Sequence, residues 1–311
     1  MTQNSQFNKW LESHRTKSTS RRYASALVHF CKHFNVKPHQ TLKWNIDDIE
    51  DNIRDYLIYG RDKRKLKPYS LRFHQTALTS WFRFNKVRNL QLNTRSVIPR
   101  ITKKPRYIPT KKDLKYILDV SPLRTKVFIG LMAYSGLRPV DIGSLQYKHI
   151  QESFENNNEI ITIIKVQQKT SQHVITFLGY EGTRYLRNYL RGRKLKPNDY
   201  LFIRGKATET LIENAADRVR KAIDCSLKNS IGKSKGQRAV YPYTLRSYFR
   251  RQLQISGMDT VVAESLMGHQ VDLSATYNGL ADLDPLSIES LKQEYLKALP
   301  ELETELSENY T

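Results

Sequence analysis

A basic stretch rich in proline divides the chain, and it constrains the fold more than any other feature of the sequence. Residues 96–110 read SVIPRITKKPRYIPT, with three prolines and no helical spacing of apolar residues. Proline interrupts helices and strands because it lacks a backbone N–H and fixes φ. We therefore predict a basic linker over residues 96–110 between two domains, residues 1–95 and residues 111–311. A chain of 311 residues is long enough for both.

The region before the linker is predicted to be helical. Its apolar residues recur at steps of three and four, which places them on one face of a helix. Ser70 is the predicted N-cap of the last of these helices. We interpret the aromatic residues as the core of a helical domain. The four stripes are Phe7, Trp10 and Leu11; Tyr23, Leu27, Phe30 and Phe34; Ile53, Tyr56 and Leu57; and Ala77, Leu78, Trp81 and Phe82.

The region after the linker combines helices with one β-hairpin. A helix is predicted to start at Thr110 or Lys111. Residues 159–166 (EIITIIKV) and 174–178 (VITFL) are rich in β-branched residues and are separated by a short polar stretch. Two such runs joined by a polar tip are typical of a hairpin. The predicted fold class is mainly α with a small β-sheet.

The chain carries a large positive charge. It has 52 Lys and Arg residues against 30 Asp and Glu residues, which gives a formal net charge of +22. Such a surplus attracts polyanions, so nucleic acid is the first candidate partner, a membrane surface the second and a ribosome-like structural role the third. Basic runs recur on separate predicted helices, as in residues 61–67, and this pattern fits a surface that follows a phosphate backbone.

Composition argues against several other classes of protein. No apolar run is long enough to cross a bilayer, and the first residues lack the apolar core of a signal peptide. Cys31 and Cys225 are the only cysteines, and they form neither a disulfide framework nor a zinc pattern. Carboxylates clustered at metal-ligand spacing are also missing from the sequence. We predict a cytoplasmic protein that works on DNA or RNA, with no membrane partner.

A first candidate anion site lies in the segment SGLRPVD, residues 135–141. An apolar helix is predicted to end at Gly136, and Pro139 is predicted to open the next helix. Arg138 then lies at a helix N-terminus, where free N–H groups and the helix dipole favour an anion. A guanidinium there can bind a phosphate through two hydrogen bonds, and Asp141 could orient it. Taken alone, the segment fits an ordinary surface arginine equally well.

Two further motifs follow. In YPYTLRSYF, Tyr243 and Arg246 are three residues apart, so a helix would present both on one face. In LMGHQVDLSATY, Gly268 is predicted to end a helix in the left-handed conformation, with His269 directly after it and Tyr277 eight residues later. Each motif alone is a weak signal, because tyrosines usually pack and single histidines are common.

Together, the order of these motifs resembles that of the tyrosine recombinases, the phage integrase family. SGLRPVDIGSL is similar to the first arginine box of that family, and QQKTSQHVITF to its hairpin lysine. PYTLRSYFRRQ is similar to its His-x-x-Arg box, and LMGHQVDLSATY to its Leu-Gly-His and Tyr box. The resemblance covers roughly residues 107–300. It implies a C-shaped clamp of a helical N-terminal core-binding domain and an integrase-type catalytic domain.

The resemblance also implies roles for five residues. Tyr277 attacks the scissile phosphate and forms a 3′-phosphotyrosine link, while Arg138 and Arg246 stabilise the charge that develops on the phosphate. Lys169 donates a proton to the departing 5′ oxygen, and His269 assists as a base or a hydrogen-bond donor. The bond energy stays in the protein–DNA link, so no ATP, metal or other cofactor is implied.

Three departures from the family pattern leave alternatives open. Tyr243 replaces the first histidine of the His-x-x-Arg box, and a phenol is a poor base at neutral pH. The gap between His269 and Tyr277 is one residue shorter than the commonest spacing, so Tyr295 is an alternative nucleophile. Lys165 competes with Lys169 for the role of acid, and Lys169 is preferred because it lies at the polar tip. The first departure supports a rival reading, a DNA-binding protein with a degenerate, inactive site, and a second rival is a nicking topoisomerase.

The resemblance implies double-stranded DNA as partner and a DNA-bound homo-oligomer, a tetramer, that integrates or excises a mobile element in association with the nucleoid. The segment after Tyr277 becomes acidic, with Leu291, Leu296 and Leu299 spaced for a helix. An acidic amphipathic helix is a poor ligand for DNA. It therefore packs either on a neighbouring protomer or on its own chain, and the sequence does not separate these two arrangements.

Overall fold

The computed structural model describes residues 5–100, 107–166, 173–203, 205, 208, 211, 214–230, 241–269 and 285–305. The chain forms two compact units, residues 1–104 and residues 105–311. Helices dominate both units, and a two-stranded sheet lies in the second, so the predicted fold class is confirmed. None of the described helices combines the length and the apolar character needed to span a membrane.

The N-terminal unit is built from helices around an aromatic core. Trp10 and Trp81 are fully buried, with ring centroids 5.3 Å apart in an edge-to-face arrangement. Aromatic pairs of this geometry add to the stabilisation that comes from burial alone. The predicted stripes thus form the core of this unit. Its helices are α1 (Ser5–Glu12), α2 (Lys17–His33), α3 (Ile46–Asp62) and α4 (Pro68–Phe84), with a 3₁₀ helix at Pro38–Lys43.

The prediction that Ser70 caps the fourth helix was wrong. Helix α4 begins at Pro68, and Lys67 is its N-cap residue. Proline at the first helical position has φ already set for the helix and has no N–H to leave unpaired. The proline therefore starts the helix two residues before the serine, although serine is the better capping residue.

The C-terminal unit surrounds one apolar helix. Helix α6 is buried on nearly all sides, and it packs against α9 and α11. Strands β1 and β2 pair antiparallel from Ile161 opposite Leu178 to Val166 opposite His173, which confirms the predicted hairpin. The helices are α5 (Lys111–Asp119), α6 (Leu123–Ala133), α7 (Pro139–Gly143), α8 (Gln151–Glu155), α9 (Tyr180–Leu190), α10 (Ala215–Ser230), α11 (Pro242–Ile255), α12 (Thr260–Leu266) and α13 (Pro285–Leu302), and the strands are β1 (Ile161–Val166) and β2 (His173–Leu178).

Thr110 caps α5, as predicted. Its side chain accepts a hydrogen bond from the Asp113 backbone N–H, and the Asp113 carboxylate accepts one from the Thr110 N–H. This reciprocal capping box defines the helix start. Earlier in the stretch 96–110, Val97 and Ile98 are buried in the core of the N-terminal unit, and residues 101–106 lie outside the described part of the chain.

The C-terminal segment packs on its own chain. The Tyr295 hydroxyl donates to the Tyr134 carbonyl at 2.8 Å, and the Tyr248 hydroxyl donates to the Leu302 carbonyl at 2.8 Å. Of the two arrangements left open by the sequence, the structure has the one in cis. Tyr295 is fully buried by this packing, so it cannot meet a DNA phosphate in this conformation, which argues against it as the alternative nucleophile.

Candidate active site

Arg138 lies at the start of α7, after a tight turn. The helix begins at Pro139, as predicted, and Arg138 is its N-cap residue with extended backbone angles. Gly136 forms the turn with φ at 65°, and a Cβ there would lie 2.5 Å from a ring carbon of Phe249. Glycine is required both by the positive φ and by this contact. The Arg138 side chain is 15% exposed, so it is enclosed but still reaches solvent.

Asp141 is the acidic neighbour of Arg138. Its carboxylate Oδ2 lies 3.9 Å from Nη1 of Arg138, and the Asp141 side chain is buried. Because Asp141 follows three residues later on the same short helix, the contact spans one helical turn. This places a buried negative charge beside the guanidinium, at a distance longer than that of a hydrogen bond.

Arg246, on helix α11, is the most enclosed cation of the site. It is 6% exposed, and it donates hydrogen bonds to the Gly136 carbonyl and, at 2.6 Å, to the Met267 carbonyl. The side chain thereby joins the turn before Arg138 to the turn after α12. The pKa of Arg246 is lowered to about 10, chiefly by burial and also by the positive charge of Arg138. Two like charges held together in this way favour an anion between them.

His269 completes this side of the site. Gly268 has φ at 61°, which confirms the predicted left-handed helix end, and the turn directs the imidazole towards Arg246. The His269 Nε2 lies 3.1 Å from Nη2 of Arg246, and Nδ1 contacts the Glu264 carboxylate. A carboxylate only accepts and a guanidinium only donates. The proton is therefore assigned to Nδ1, and Nε2 is the acceptor in this arrangement.

Glu264 is a site residue that was missed in the sequence. It lies on α12, five residues before His269, and its second oxygen pairs with Nη2 of Arg250 at 2.5 Å. The available signal was a carboxylate in the last turn of the helix that ends before Gly268. Such a residue can orient an imidazole that directly follows the helix.

Tyr243 is much more exposed than Arg246, the residue with which it was predicted to share a helix face. Both Tyr243 and Arg246 lie on α11, but Tyr243 is 43% exposed, whereas Arg246 is enclosed. Tyr243 is near enough to raise the pKa of Arg246 slightly against the effect of burial. The phenol thus lies at the rim of the site, and the two residues do not form one equally buried face.

Of the two candidate lysines, Lys165 lies within the described residues and Lys169 does not. Lys165 lies inside β1 as predicted, and its Nζ donates to the Ser144 carbonyl and hydroxyl at 3.1 and 2.9 Å. Burial lowers the pKa of Lys165 to about 8. Lys169 and Tyr277, the predicted acid and nucleophile, lie outside the described residues, and so their positions remain predictions.

The described residues therefore form an enclosed group of basic side chains. Arg138, Arg246 and His269 come together from three segments that are far apart in sequence, and two of these residues carry fixed positive charge. Guanidinium groups suit the non-bridging oxygens of a phosphate because they can donate two parallel hydrogen bonds. Across the described ranges, no cluster of three or more His, Cys, Asp or Glu side chains is arranged to hold a metal ion.

Several solved structures that are similar to this chain are integrases or recombinases. The chain is similar to lambda integrase, solved as a dimer bound to a COC′ core site, with TM-score 0.59 and 16% identity over 91% of this chain and 98% of that one. It is also similar to the Tn1549 transposon integrase in complex with transposon right end DNA, with TM-score 0.55 and 16% identity over 94% of this chain and 100% of that one. XerH site-specific recombinase bound to difH substrate has TM-score 0.52 and 19% identity, over 78% of this chain and 70% of that one.

Sequence comparison gives one family and no individual relative. No curated protein matches the chain. Residues 107–280, which are more than half of the chain, match the model of the phage integrase family. This range contains the turn at Gly136, the hairpin, Arg246 and His269 in the order described above. The chain therefore belongs to the phage integrase family.

Proposed function

We propose that this protein is a site-specific DNA recombinase that cleaves and rejoins DNA through a 3′-phosphotyrosine intermediate. The observation that carries the proposal is the convergence of Arg138, Arg246 and His269 on one enclosed site. A phosphodiester under attack gains charge on its non-bridging oxygens, and fixed guanidinium groups stabilise that charge. The net charge of +22 supports a polyanionic substrate.

The proposed reaction is an exchange of one phosphodiester for another. The Tyr277 hydroxyl oxygen attacks phosphorus, and the bond from phosphorus to the 5′ oxygen breaks. Lys169 gives a proton to the departing 5′ oxygen, and the tyrosyl proton passes to solvent or to His269. Religation is the same step in reverse with the 5′ hydroxyl of another strand as nucleophile. No bond energy is lost to water, so the reaction needs no ATP.

The two arginines carry the electrostatic part of catalysis. Arg246 is held by hydrogen bonds to two backbone carbonyls, and Arg138 lies at ion-pair distance from Asp141. Donors fixed in advance cost little reorganisation when charge develops. We assign Tyr243 a hydrogen bond from its phenol to the phosphate, at the rim of the same site.

Trapping of the covalent intermediate tests this proposal. Duplexes that bind the protein are first selected from random DNA, and a nick is then placed near the cleavage position so that the cut fragment is lost. Wild type is expected to accumulate covalent protein–DNA product, and Tyr277→Phe to form none, because phenylalanine has no nucleophile. Tyr116→Phe, an exposed tyrosine on α5, is the matched control and should behave as wild type.

A second candidate function is sequence-specific DNA binding by a protein with an inactive site. The observation that favours it is Tyr243 in the place of a histidine. Tight binding of selected DNA with no covalent product from wild type would support this reading and contradict the recombinase. Relaxation of plasmids that lack a selected site would instead indicate a nicking topoisomerase.

The biological setting is also a proposal. Integration or excision of a mobile element is supported by the fold shared with a transposon integrase solved on transposon end DNA, and a DNA-bound oligomer by the lambda integrase dimer on its core site. We assign the protein to the cytoplasm, on the nucleoid, as a tetramer on recombining DNA. Sedimentation of the protein with a selected duplex, with one or two sites per DNA, measures the number of protomers and would contradict the tetramer if it stays at two.

A further inference from the structure

A lysine occupies an inward-facing position of strand β1. The side chains of Ile161, Ile163 and Lys165 are buried and alternate with less buried neighbours, and the first two belong to the apolar core. Lys165 is only 5% exposed. Burial of an ammonium group is unfavourable unless specific partners compensate for the lost water. A methionine or leucine would fill the same position without that cost, so the lysine calls for a functional explanation.

The Lys165 ammonium group holds the far end of helix α7. Its Nζ donates to the Ser144 carbonyl at 3.1 Å and to the Ser144 hydroxyl oxygen at 2.9 Å. Ser144 is the C-cap residue of α7, and its hydroxyl in turn donates to the Val140 carbonyl at 2.8 Å. Arg138 is the N-cap residue at the other end of the same short helix. Lys165 therefore connects the hairpin to the helix that presents the first arginine of the site.

Lys165 also shares a counter-ion with both arginines. The Asp141 carboxylate raises the pKa of Lys165 and that of Arg246 against the effect of burial, and it lies 3.9 Å from Arg138. We call these three cations around Asp141 the cation cluster. One carboxylate near three cations leaves a positive surplus, and the position of that carboxylate decides where the guanidinium of Arg138 is drawn.

We propose that Lys165 is a positioning residue for Arg138, acting through Ser144 and Asp141, in the reaction proposed above. Its hydrogen bonds fix α7 from behind, and its charge keeps Asp141 in place between the cations. A misplacement of about 1 Å at a phosphate-binding group can cost about 100-fold in rate. The inference rests on the proposed recombinase function for the measurements of cleavage rate, but not for the measurement of phosphate binding.

The rival role for Lys165 is that of general acid. The ammonium group faces Ser144 and is enclosed, whereas a general acid must lie within hydrogen-bond distance of the leaving oxygen. Chemistry separates the two roles. A bridging sulfur in place of the 5′ oxygen leaves as a thiolate and needs no proton, so it restores cleavage when an acid is missing but not when Arg138 is misplaced.

The charge state of Lys165 depends on pH in the range of an assay. Its pKa is lowered to about 8, chiefly by burial, and the groups that face it are Asp141, which raises the value, and Lys148, which lowers it. The neighbouring His149 has its pKa lowered to about 4 by burial, and Lys165 adds to that shift. At pH 7 Lys165 is therefore charged while His149 is neutral, and Lys165 loses its charge as pH rises through about 8.

The first test compares Lys165→Met with wild type on the nicked oxygen substrate at saturating DNA. We expect unchanged DNA affinity and a 10- to 100-fold slower formation of covalent product, with the ratio of wild-type to variant rates shrinking as pH rises above about 8. Lys115→Met removes an exposed lysine from α5 and should keep the wild-type rate. Equal rates for Lys165→Met and wild type, or a ratio that does not change with pH, would overturn the proposal.

The second test uses the substrate with a bridging sulfur. On this substrate we expect Lys165→Met to remain slower than wild type by the same factor. The cleavage rate of Lys169→Met is expected to return to that of wild type. Restoration of Lys165→Met by sulfur would make Lys165 the acid and refute the positioning role. Arg138→Gln and the double variant with Lys165→Met should be equally slow, because a positioning residue has no effect once the residue it positions is gone.

A third measurement does not require cleavage, so it stays informative if wild type forms no covalent product and the recombinase function fails. Inorganic phosphate at constant ionic strength is expected to raise the melting temperature of wild type and of Lys115→Met equally. The rise should be smaller for Lys165→Met and for Arg138→Gln, with no further loss in the double variant. A rise in Lys165→Met equal to that in wild type would refute the positioning of Arg138 whatever the enzyme's activity.

Discussion

Two buried clusters in the C-terminal unit hold charge in opposite ways. The cation cluster places Arg138, Arg246 and Lys165 around Asp141. The second cluster, which we call the carboxylate pair, consists of Glu181 at the start of α9 and Glu303 after α13. Both clusters gather charges of one sign in the interior, where unbalanced charge is unfavourable. They differ in how the balance is restored.

The carboxylate pair is balanced within the chain. Glu181 accepts hydrogen bonds from the hydroxyls of Tyr134 and Tyr185 at 2.8 and 2.7 Å, and from the Thr304 N–H at 3.0 Å. Burial raises the pKa of Glu303 to about 8, and the charge of Glu181 raises it in the same direction. Glu303 is therefore mostly protonated at pH 7. The pair then carries one negative charge, which is stabilised by the hydrogen-bond donors to Glu181.

At pH 7 the cation cluster has no mostly neutral group that would remove its surplus charge. With its pKa lowered to about 10, Arg246 still carries its proton at pH 7. The positive charges of the cluster outnumber the carboxylate of Asp141 at pH 7, and this surplus suits an anion from outside the protein. The comparison teaches that a buried cluster is balanced internally when a group of its majority charge is neutral at pH 7, and that it suits a counter-ion when those groups stay charged at that pH.

The largest predicted effect is on the cation cluster. Arg246→Gln keeps a polar side chain but removes the charge and most of the N–H donors, so we expect covalent product to form about 100- to 1000-fold more slowly, as for loss of a donor to a developing oxyanion. The rate is measured on the nicked duplex at saturating protein. Arg251→Gln, an exposed position on the same helix, is the matched control. Equal losses in both variants would mean that net charge matters and the enclosed position does not.

A smaller effect is predicted for the carboxylate pair. The folded-state pKa of Glu303, about 8, lies above its ordinary value of 4.5, so the folded protein binds the extra proton and loses stability as pH rises from 4.5 to 8. Glu303→Gln mimics the protonated form, so we expect it to be more stable than wild type by about 2 kcal/mol at pH 6, by more at pH 8, and nearly equal to it at pH 4.5.

The measurement for the carboxylate pair is thermal or denaturant unfolding across that pH range. Glu305→Gln is the matched control, because Glu305 is on the surface and pairs with Arg184. It should show no gain at pH 8. A Glu303→Gln variant with the same pH dependence as wild type would show that the pair does not share its charge as described, and the contrast with the cation cluster would be lost.

The smallest predicted effect tests the link between the cation cluster and His269. Glu264→Gln removes the carboxylate that accepts from His269 Nδ1, so the imidazole loses its fixed orientation. We expect covalent product to form about 10-fold more slowly, a fraction of what a positioned acid or base contributes. Glu289→Gln on α13 is the exposed control. A rate unchanged in Glu264→Gln would indicate that Arg246 alone orients the histidine.

Local patterns predicted much of the fold and half of the site. Alternation of β-branched residues predicted the hairpin, and Gly136 and Pro139 predicted the helix that begins after Arg138, because φ preferences and periodicity act within a few residues. Ser70 failed as a cap because a proline nearby had the stronger local preference. These outcomes depend on neighbours in sequence.

Contacts between distant segments could not be predicted in the same way. Glu264 joins His269 to Arg250, Lys165 reaches Ser144 across 21 positions, and Tyr295 is buried against Tyr134 across 161. No period or cap signals such contacts, since they arise only when helices and strands pack. The burial that results from these contacts also lowers the pKa of Lys165 and raises that of Glu303.

The sequence by itself determined the family, the helical and hairpin elements, and the order of the candidate residues, because these depend on local backbone preferences and short motifs. Only the tertiary structure decided which charges share a carboxylate, which tyrosine is buried, and that the C-terminal segment packs in cis. Electrostatic interactions in the interior act over a few ångströms through space, and this distance has no fixed relation to separation along the chain.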